Sequence, residues 1–143
     1  MRLAAMTAAA LLASACASPA YPPSSEEPTM THGMTSVRVA ATYRERILLT
    51  PGHVLNVRIE DVSLADAPAR VLAEHTETLD GRGPPYEVTL GVPTSQIDPR
   101  HTYAARAEIR TPDGDLRFVT DTRYVVLTQG ARAEADIVMV GAR

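Results

Sequence analysis

From Ser36 to Val140, apolar and polar residues alternate with a period of two, in short runs separated by turn-forming residues. Successive side chains of an extended strand point to opposite faces, so a run of this kind buries one face and wets the other. Val37, Val39, Ala41 and Tyr43 alternate with Arg38, Ala40 and Thr42, and Leu55, Val57 and Ile59 alternate with Asn56, Arg58 and Glu60. Between them Thr50-Pro51-Gly52-His53 reads as a tight turn, in which Pro presets the first central φ and Gly accepts a positive one. These two strands are expected to pair as neighbours.

The same rhythm continues downstream. Tyr86, Val88, Leu90 and Val92 form one clean run, closed by Pro93, and Tyr103, Ala105, Ala107 and Ile109 form another. Asp113-Gly114 is a hairpin signal that returns the chain into Leu116 to Thr120. Tyr124 to Leu127 and Ala135 to Val140, joined across Gln129-Gly130, complete the set. Val71 to Leu79 is extended but polar on both faces, the pattern of an edge strand. Asp61 to Ala69, which contains Pro68, reads as a loop. Seven or eight short antiparallel strands without a long helical period predict an all-β domain over 36–143, a single small β-sandwich of the immunoglobulin or transthyretin kind.

The first fifteen residues have a different character. Arg2 is followed by small apolar residues from Leu3 to Ala13, broken only by Thr7, and small residues lead up to Cys16, the one cysteine of the chain. This is the layout of a secretory signal, and the run falls short of the roughly 20 apolar residues a membrane-spanning helix needs. A small residue immediately before a lone cysteine resembles the lipobox of bacterial lipoproteins, which makes Cys16 the expected site of lipid attachment. An ordinary signal peptide with an incidental cysteine is the other reading of the same stretch. Residues 16–35, with four prolines and little to bury, are expected to form a flexible linker. Within that linker Met30, His32 and Met34 group two thioethers and an imidazole, the soft ligands that Cu(I) prefers.

Composition excludes several classes. Fourteen arginines face seventeen acids, a formal net charge of −3, and no basic face suited to nucleic acid stands out. Without a second cysteine there is no disulfide, and beyond the covalent lipid on Cys16 no cofactor is expected. Hydrolase elbows, zinc-protease helices and phosphate-binding glycine loops are missing from the sequence, so an enzyme is not expected. His53 and His101 fall in turns and read as solvated. Glu60-Asp61 with Asp66 reads as loop capping, and Arg58 and Arg106 sit on polar strand faces where an anionic partner or the neighbouring acids would engage them. For a protein partner the expected docking place is the edge over Val71 to Leu79, with Glu74, Thr76 and Thr78 as the contact residues, because an unpaired edge accepts an added strand.

Several strings of this domain resemble the YbaY-type envelope lipoproteins: Tyr43-Arg44-Glu45-Arg46-Ile47-Leu48-Leu49-Thr50-Pro51-Gly52, Val57 to Pro68, Gln96-Ile97-Asp98-Pro99-Arg100-His101-Thr102-Tyr103, and Thr120-Asp121-Thr122 through Thr128. The wider family includes the YscW-like lipoproteins of type III secretion, or pilotins, which escort secretin subunits to the outer membrane. The resemblance implies a small β-sandwich and a non-catalytic binding or chaperone module. Ala17-Ser18 after Cys16 lack the Asp that favours inner-membrane retention, so a lipid anchor in the outer membrane, on its periplasmic face, is expected. An envelope protein, such as a secretin subunit, is the implied partner. A structural or stress-related lipoprotein contacting peptidoglycan or polysaccharide is the alternative.

Overall fold

The computed structural model describes residues 33–143, and they form eight strands and one short 3-10 turn. The strands are β1 (Met34–Tyr43), β2 (Val54–Asp61), β3 (Arg70–Thr78), β4 (Tyr86–Pro93), β5 (Tyr103–Arg110), β6 (Leu116–Val119), β7 (Tyr124–Val126) and β8 (Glu134–Gly141). The first strand starts at Met34, two residues before the expected boundary, and Thr94 N donates to Gly33 O across the strand end.

Hydrogen bonding links the strands in the order β3-β2-β5-β6-β8-β1-β4, with β7 also on β5. One sheet therefore bends round on itself. Its two ends, β3 and β4, come within 8 Å of each other between Cα atoms without pairing, so the barrel is nearly closed. The all-β class and the eight short strands are as expected, and the sheet is barrel-like in outline.

Two pairing expectations are corrected. β1 and β2 are not neighbours, because β1 lies between β4 and β8 while β2 lies between β3 and β5. Nor is the sheet wholly antiparallel: β1 and β8 run parallel, from Arg38 opposite Glu134 to Tyr43 opposite Met139. A short turn can join only antiparallel neighbours. Ten residues separate β1 from β2, and they carry the chain across to the other half of the sheet.

The alternation places the core where the sequence expects it. Val37, Val39 and Ala41 of β1, Leu55, Val57 and Ile59 of β2, Val88, Leu90 and Val92 of β4, and Ile137 and Met139 of β8 all face inward and are buried. The loop expected at Asp61–Ala69, which starts one residue later because β2 runs through Asp61, the edge position of β3 and the β5–β6 hairpin also match.

Three buried tyrosines and the half-buried Tyr124 keep their hydroxyls bonded to backbone. Tyr43 donates to Ile47 O and Tyr86 to Arg82 O, while Tyr103 accepts from Asp98 N and Tyr124 from Val138 N. Each tie satisfies a polar atom that would be costly to bury unpaired, and it fixes a loop or a strand crossing.

The two halves join at a narrow seam. Only Phe118 opposite Gly141 and Val119 opposite Val140 pair β6 with β8. Phe118 is fully buried and stacks on Tyr43, with ring centroids 4.5 Å apart and planes 9° off parallel. Phe118→Ala is expected to cost about 3–5 kcal/mol in urea unfolding, from lost burial and the cavity left behind. Leu116→Ala, at a more exposed position of the same strand, should stay within about 0.5 kcal/mol of the parent.

Candidate partner-binding surface

Strands β3, β2 and β5 carry a polar outer face laid out in register. Thr76, Asn56 and Glu108 form one row across it, and Glu74, Arg58 and Arg106 form the next. Beyond these lie Val71, Glu60 and Ala104. The residues are outward because their chain neighbours Leu55, Val57, Ile59, Ala105 and Ala107 are inward.

Asn56 Nδ2 donates to Glu74 Oε1 at 2.7 Å and to Thr76 Oγ1 at 2.8 Å. Arg58 sits between two acids, with Nε 2.7 Å from Glu60 Oε1 and Nη2 3.5 Å from Glu108 Oε2. Glu60 is only 5 % exposed, although it stands on the outer side of the sheet. Its Oε2 has no hydrogen bond, and Arg106 Nη1 lies 3.8 Å away. The acid expected to cap a loop is thus a buried member of a charge cluster.

β3 is bonded on one side only, and the ladder settles which of its backbone groups face outward. Ala107 N donates to Thr120 Oγ1 and Ala107 O accepts from Thr120 N, so Ala107 turns its backbone toward β6. Antiparallel strands alternate in this respect, and Glu108 therefore turns toward β2 and engages Asn56, its register partner. Asn56 is then committed to β5, and Thr76 opposite it points its N–H and C=O away from β2. Glu74 and Thr78, each two residues from Thr76, do the same. The three residues expected at the docking edge are those that present backbone donors and acceptors to the open side.

That edge also carries protection. The register shifts at Ile59/Glu60, leaving Leu72 as the extra residue of a bulge, and Glu77 pairs with Arg82 at 3.2 Å and with His75 at 3.7 Å. Bulges and charges of this kind discourage indiscriminate strand addition. An added strand needs about 4.8 Å on each side, so it fits only along the part of the edge that β4 leaves uncovered.

At the end of the barrel where β1 begins, Asp61 organises a small network. Ser63 N and Oγ both donate to Asp61 Oδ1, and Thr102 N donates to Ser63 Oγ. His101 Nδ1 lies 2.6 Å from Asp61 Oδ2 and must carry the proton, since a carboxylate only accepts. Asp61 therefore caps its loop as expected. His101 is tied to it and keeps its side chain 44% exposed in its turn, whereas His53 is buried with Nδ1 2.9 Å from Thr50 O and is not the solvated turn residue the sequence suggested. Asp61, Leu64, Pro68, Arg70 and His101 line a cleft of about 210 Å³ here.

A second cleft, of about 270 Å³, opens on the outer face between Val62, Ala104, Arg106, Asp121, Thr122 and Arg123. Of its residues the sequence marked only Arg106, as one that an anionic partner would engage; the cleft itself arises from where β6 stops and β7 starts along β5.

Met34 lies on β1 with its side chain exposed over Gly91. Met30 and His32, its proposed companions for copper, lie outside the described residues, as does Cys16. Among the described residues no three of His, Cys, Asp and Glu gather into a metal-ligating group.

With this geometry in place, comparison with known proteins is direct. The family model for type III secretion system lipoprotein chaperones (YscW) matches residues 32–139. The chain belongs to the YscW family. It is also similar to the uncharacterised lipoprotein YbaY of Escherichia coli (strain K12), with 35% identity over 97 residues. That match covers 68% of this chain and 50% of the relative, so the chain spans about half the length of the curated relative it matches. Among solved structures it resembles an alternative pilotin from the type II secretion system of Vibrio cholerae, with 38% identity and a TM-score of 0.74. The likeness covers 78% of this chain and 99% of that one. That pilotin therefore shares the overall fold described above.

Burial works to raise the Asp61 carboxyl, but bonds from Ser63 and His101 and the charge of His101 outweigh it and hold the pKa below the usual range. A carboxylate lowered in this way contributes stability above its unfolded pKa of about 3.9, and that contribution disappears as pH falls through the lower folded value. The melting temperature of the parent is expected to fall more steeply below about pH 4 than that of Asp61→Asn, which lacks the titrating group. Parallel melting curves from pH 7 down to acid would remove Asp61 as the cause.

Proposed function

We propose that the chain is a lipid-anchored, non-catalytic chaperone of pilotin type that holds an envelope protein close to its membrane. The observation that carries this reading is the likeness to the alternative pilotin, which extends over 99% of that chain. In this reading Cys16 is acylated and residues 16–33, up to the start of β1, act as the tether. Several acyl chains together make release from the bilayer negligible, where a single chain would attach only reversibly. Ala17-Ser18 after the cysteine favours the outer membrane, with the domain on its periplasmic side. The partner is an envelope protein, a secretin subunit being the first candidate by analogy with relatives in secretion systems.

The docking edge is β3. An extended segment of the partner adds to the outward groups of Glu74, Thr76 and Thr78, and main-chain bonds supply affinity while the outer-face side chains supply selectivity. Cu(I) binding by Met30, His32 and Met34 is a separate proposal. It requires the parent to bind Cu(I) under reducing conditions more tightly than a Met30→Ala, Met34→Ala variant.

Two measurements test the main reading. Cys16→Ala is expected to move the protein from the membrane to the soluble fraction, and continued partition with membranes would refute the anchor. Crosslinking the intact lipoprotein in its own envelope should recover an outer-membrane protein. Thr76→Pro removes only an outward N–H and should abolish that capture while the domain stays folded. Capture retained by Thr76→Pro would remove the edge from consideration. Recovery of peptidoglycan in place of protein would favour the structural alternative.

A further inference from the structure

β6 and β7 are two pieces of one line laid along β5. β6 ends with Val119 opposite Glu108, and β7 begins with Tyr124 opposite Ala105. On β5 only Arg106 and Ala107 separate those positions, whereas four residues, Thr120 to Arg123, separate them on the other strand. The surplus must leave the sheet, as in a bulge wider than one residue.

Thr120 fixes the base of the excursion. Only 3 % exposed, it exchanges bonds with both backbone groups of Ala107, and its hydroxyl takes the Ala107 N–H at 2.8 Å. Asp121, Thr122 and Arg123 then stand over Ala104 and Arg106 on the outer face, with Val62 closing the far wall.

The polar groups in this cleft are unevenly spent. Thr122 Oγ1 donates to Asp121 Oδ1 at 3.0 Å. Arg106 touches only buried Glu60, at 3.8 Å, which is a charge contact that aims the guanidinium without occupying its donors. Among the described residues no carboxylate lies within ion-pair distance of Arg123. Two guanidiniums with donors to spare therefore flank a concave space of about 270 Å³, and one exposed carboxylate lies beside them.

We propose that this cleft binds a carboxylate presented by a peptide, from an aspartate or glutamate side chain. The Arg fork matches the two oxygens of a carboxylate, and charge-assisted bonds of this type are among the strongest a surface cleft makes. Asp121 gives the site an acceptor for a peptide N–H next to the acid, and Val62 and Ala104 offer an apolar wall for its methylenes. The assignment adds acidic-peptide recognition to the chaperone reading and does not depend on the β3 edge.

The test is titration of the full-length lipoprotein in detergent with N-acetyl-Ala-Glu-Ala-amide, followed by NMR of the Thr122 amide and the arginine Nε–H signals. Saturable shifts at these groups are expected. They should weaken about tenfold or more when Gln replaces Glu in the peptide, and by a similar factor in Arg123→Gln, a change at an exposed residue. Arg106→Gln should act in the same direction, and Thr76→Pro should leave the titration unchanged. Equal binding of the Glu and Gln peptides, or binding unaltered in Arg123→Gln, would overturn the proposal. Inorganic phosphate that binds as tightly as the Glu peptide and displaces it would also overturn it, in favour of an unselective anion cleft. If this titration behaves as expected but Thr76→Pro still captures envelope protein in cells, the edge reading fails and the cleft stands.

Discussion

Two residue pairs hold this barrel together as one sheet. Phe118 opposite Gly141 and Val119 opposite Val140 are the only register contacts between β6 and β8, and every other ladder lies wholly within one half or the other. The seam is short because β6 has only four residues before the chain leaves the sheet at Thr120. The stacked rings of Phe118 and Tyr43 reinforce it from inside, and Arg117 adds a cation over the Phe118 ring and an ion pair to Glu45. Close packing at one point thus takes over where backbone pairing runs out.

The strands were legible in the sequence because each depends on local alternation, which burial on one side enforces. Val37 to Tyr43 and Leu55 to Ile59 turn their apolar residues inward as the pattern requires. The one-sided pairing of β3 was legible for the opposite reason, since Glu74, His75 and Glu77 leave neither of its faces wholly apolar. Which strand lies beside which was not legible. β1 and β8 meet across most of the chain length, and no local rule relates Arg38 to Glu134 or Tyr43 to Met139. Charged side chains were misread where their surroundings decide their state. Glu60 is buried because Arg58 and Arg106 stand beside it, and His53 because its ring nitrogen reaches Thr50 O.

The polar outer face and the open edge divide the surface into two chemistries. Along β3 the offer is backbone, with N–H and C=O groups that any extended chain satisfies. Over β5 it is side chain, with Arg123 and with Arg106, whose guanidinium lies beside a buried carboxylate. The four-against-two mismatch beside Arg106 and Ala107 separates them, and it could not be seen before the partners of β6 and β7 were known. Membership of the YscW family places this surface on a lipoprotein scaffold, and the likeness to a pilotin of a different secretion system indicates that the bent sheet is not tied to one secretion apparatus.

The parallel pairing of β1 with β8 has a kinetic consequence. Residues 38–43 have no neighbour on that side until residues 134–139 exist, so during synthesis the first strand waits for the last. Loop closure over such a span is entropically slow, and topologies dominated by distant pairings fold later than those built from hairpins. The domain is therefore a late closer: β1 can meet β4 once residue 93 is made, but the barrel is complete only when its final strand arrives.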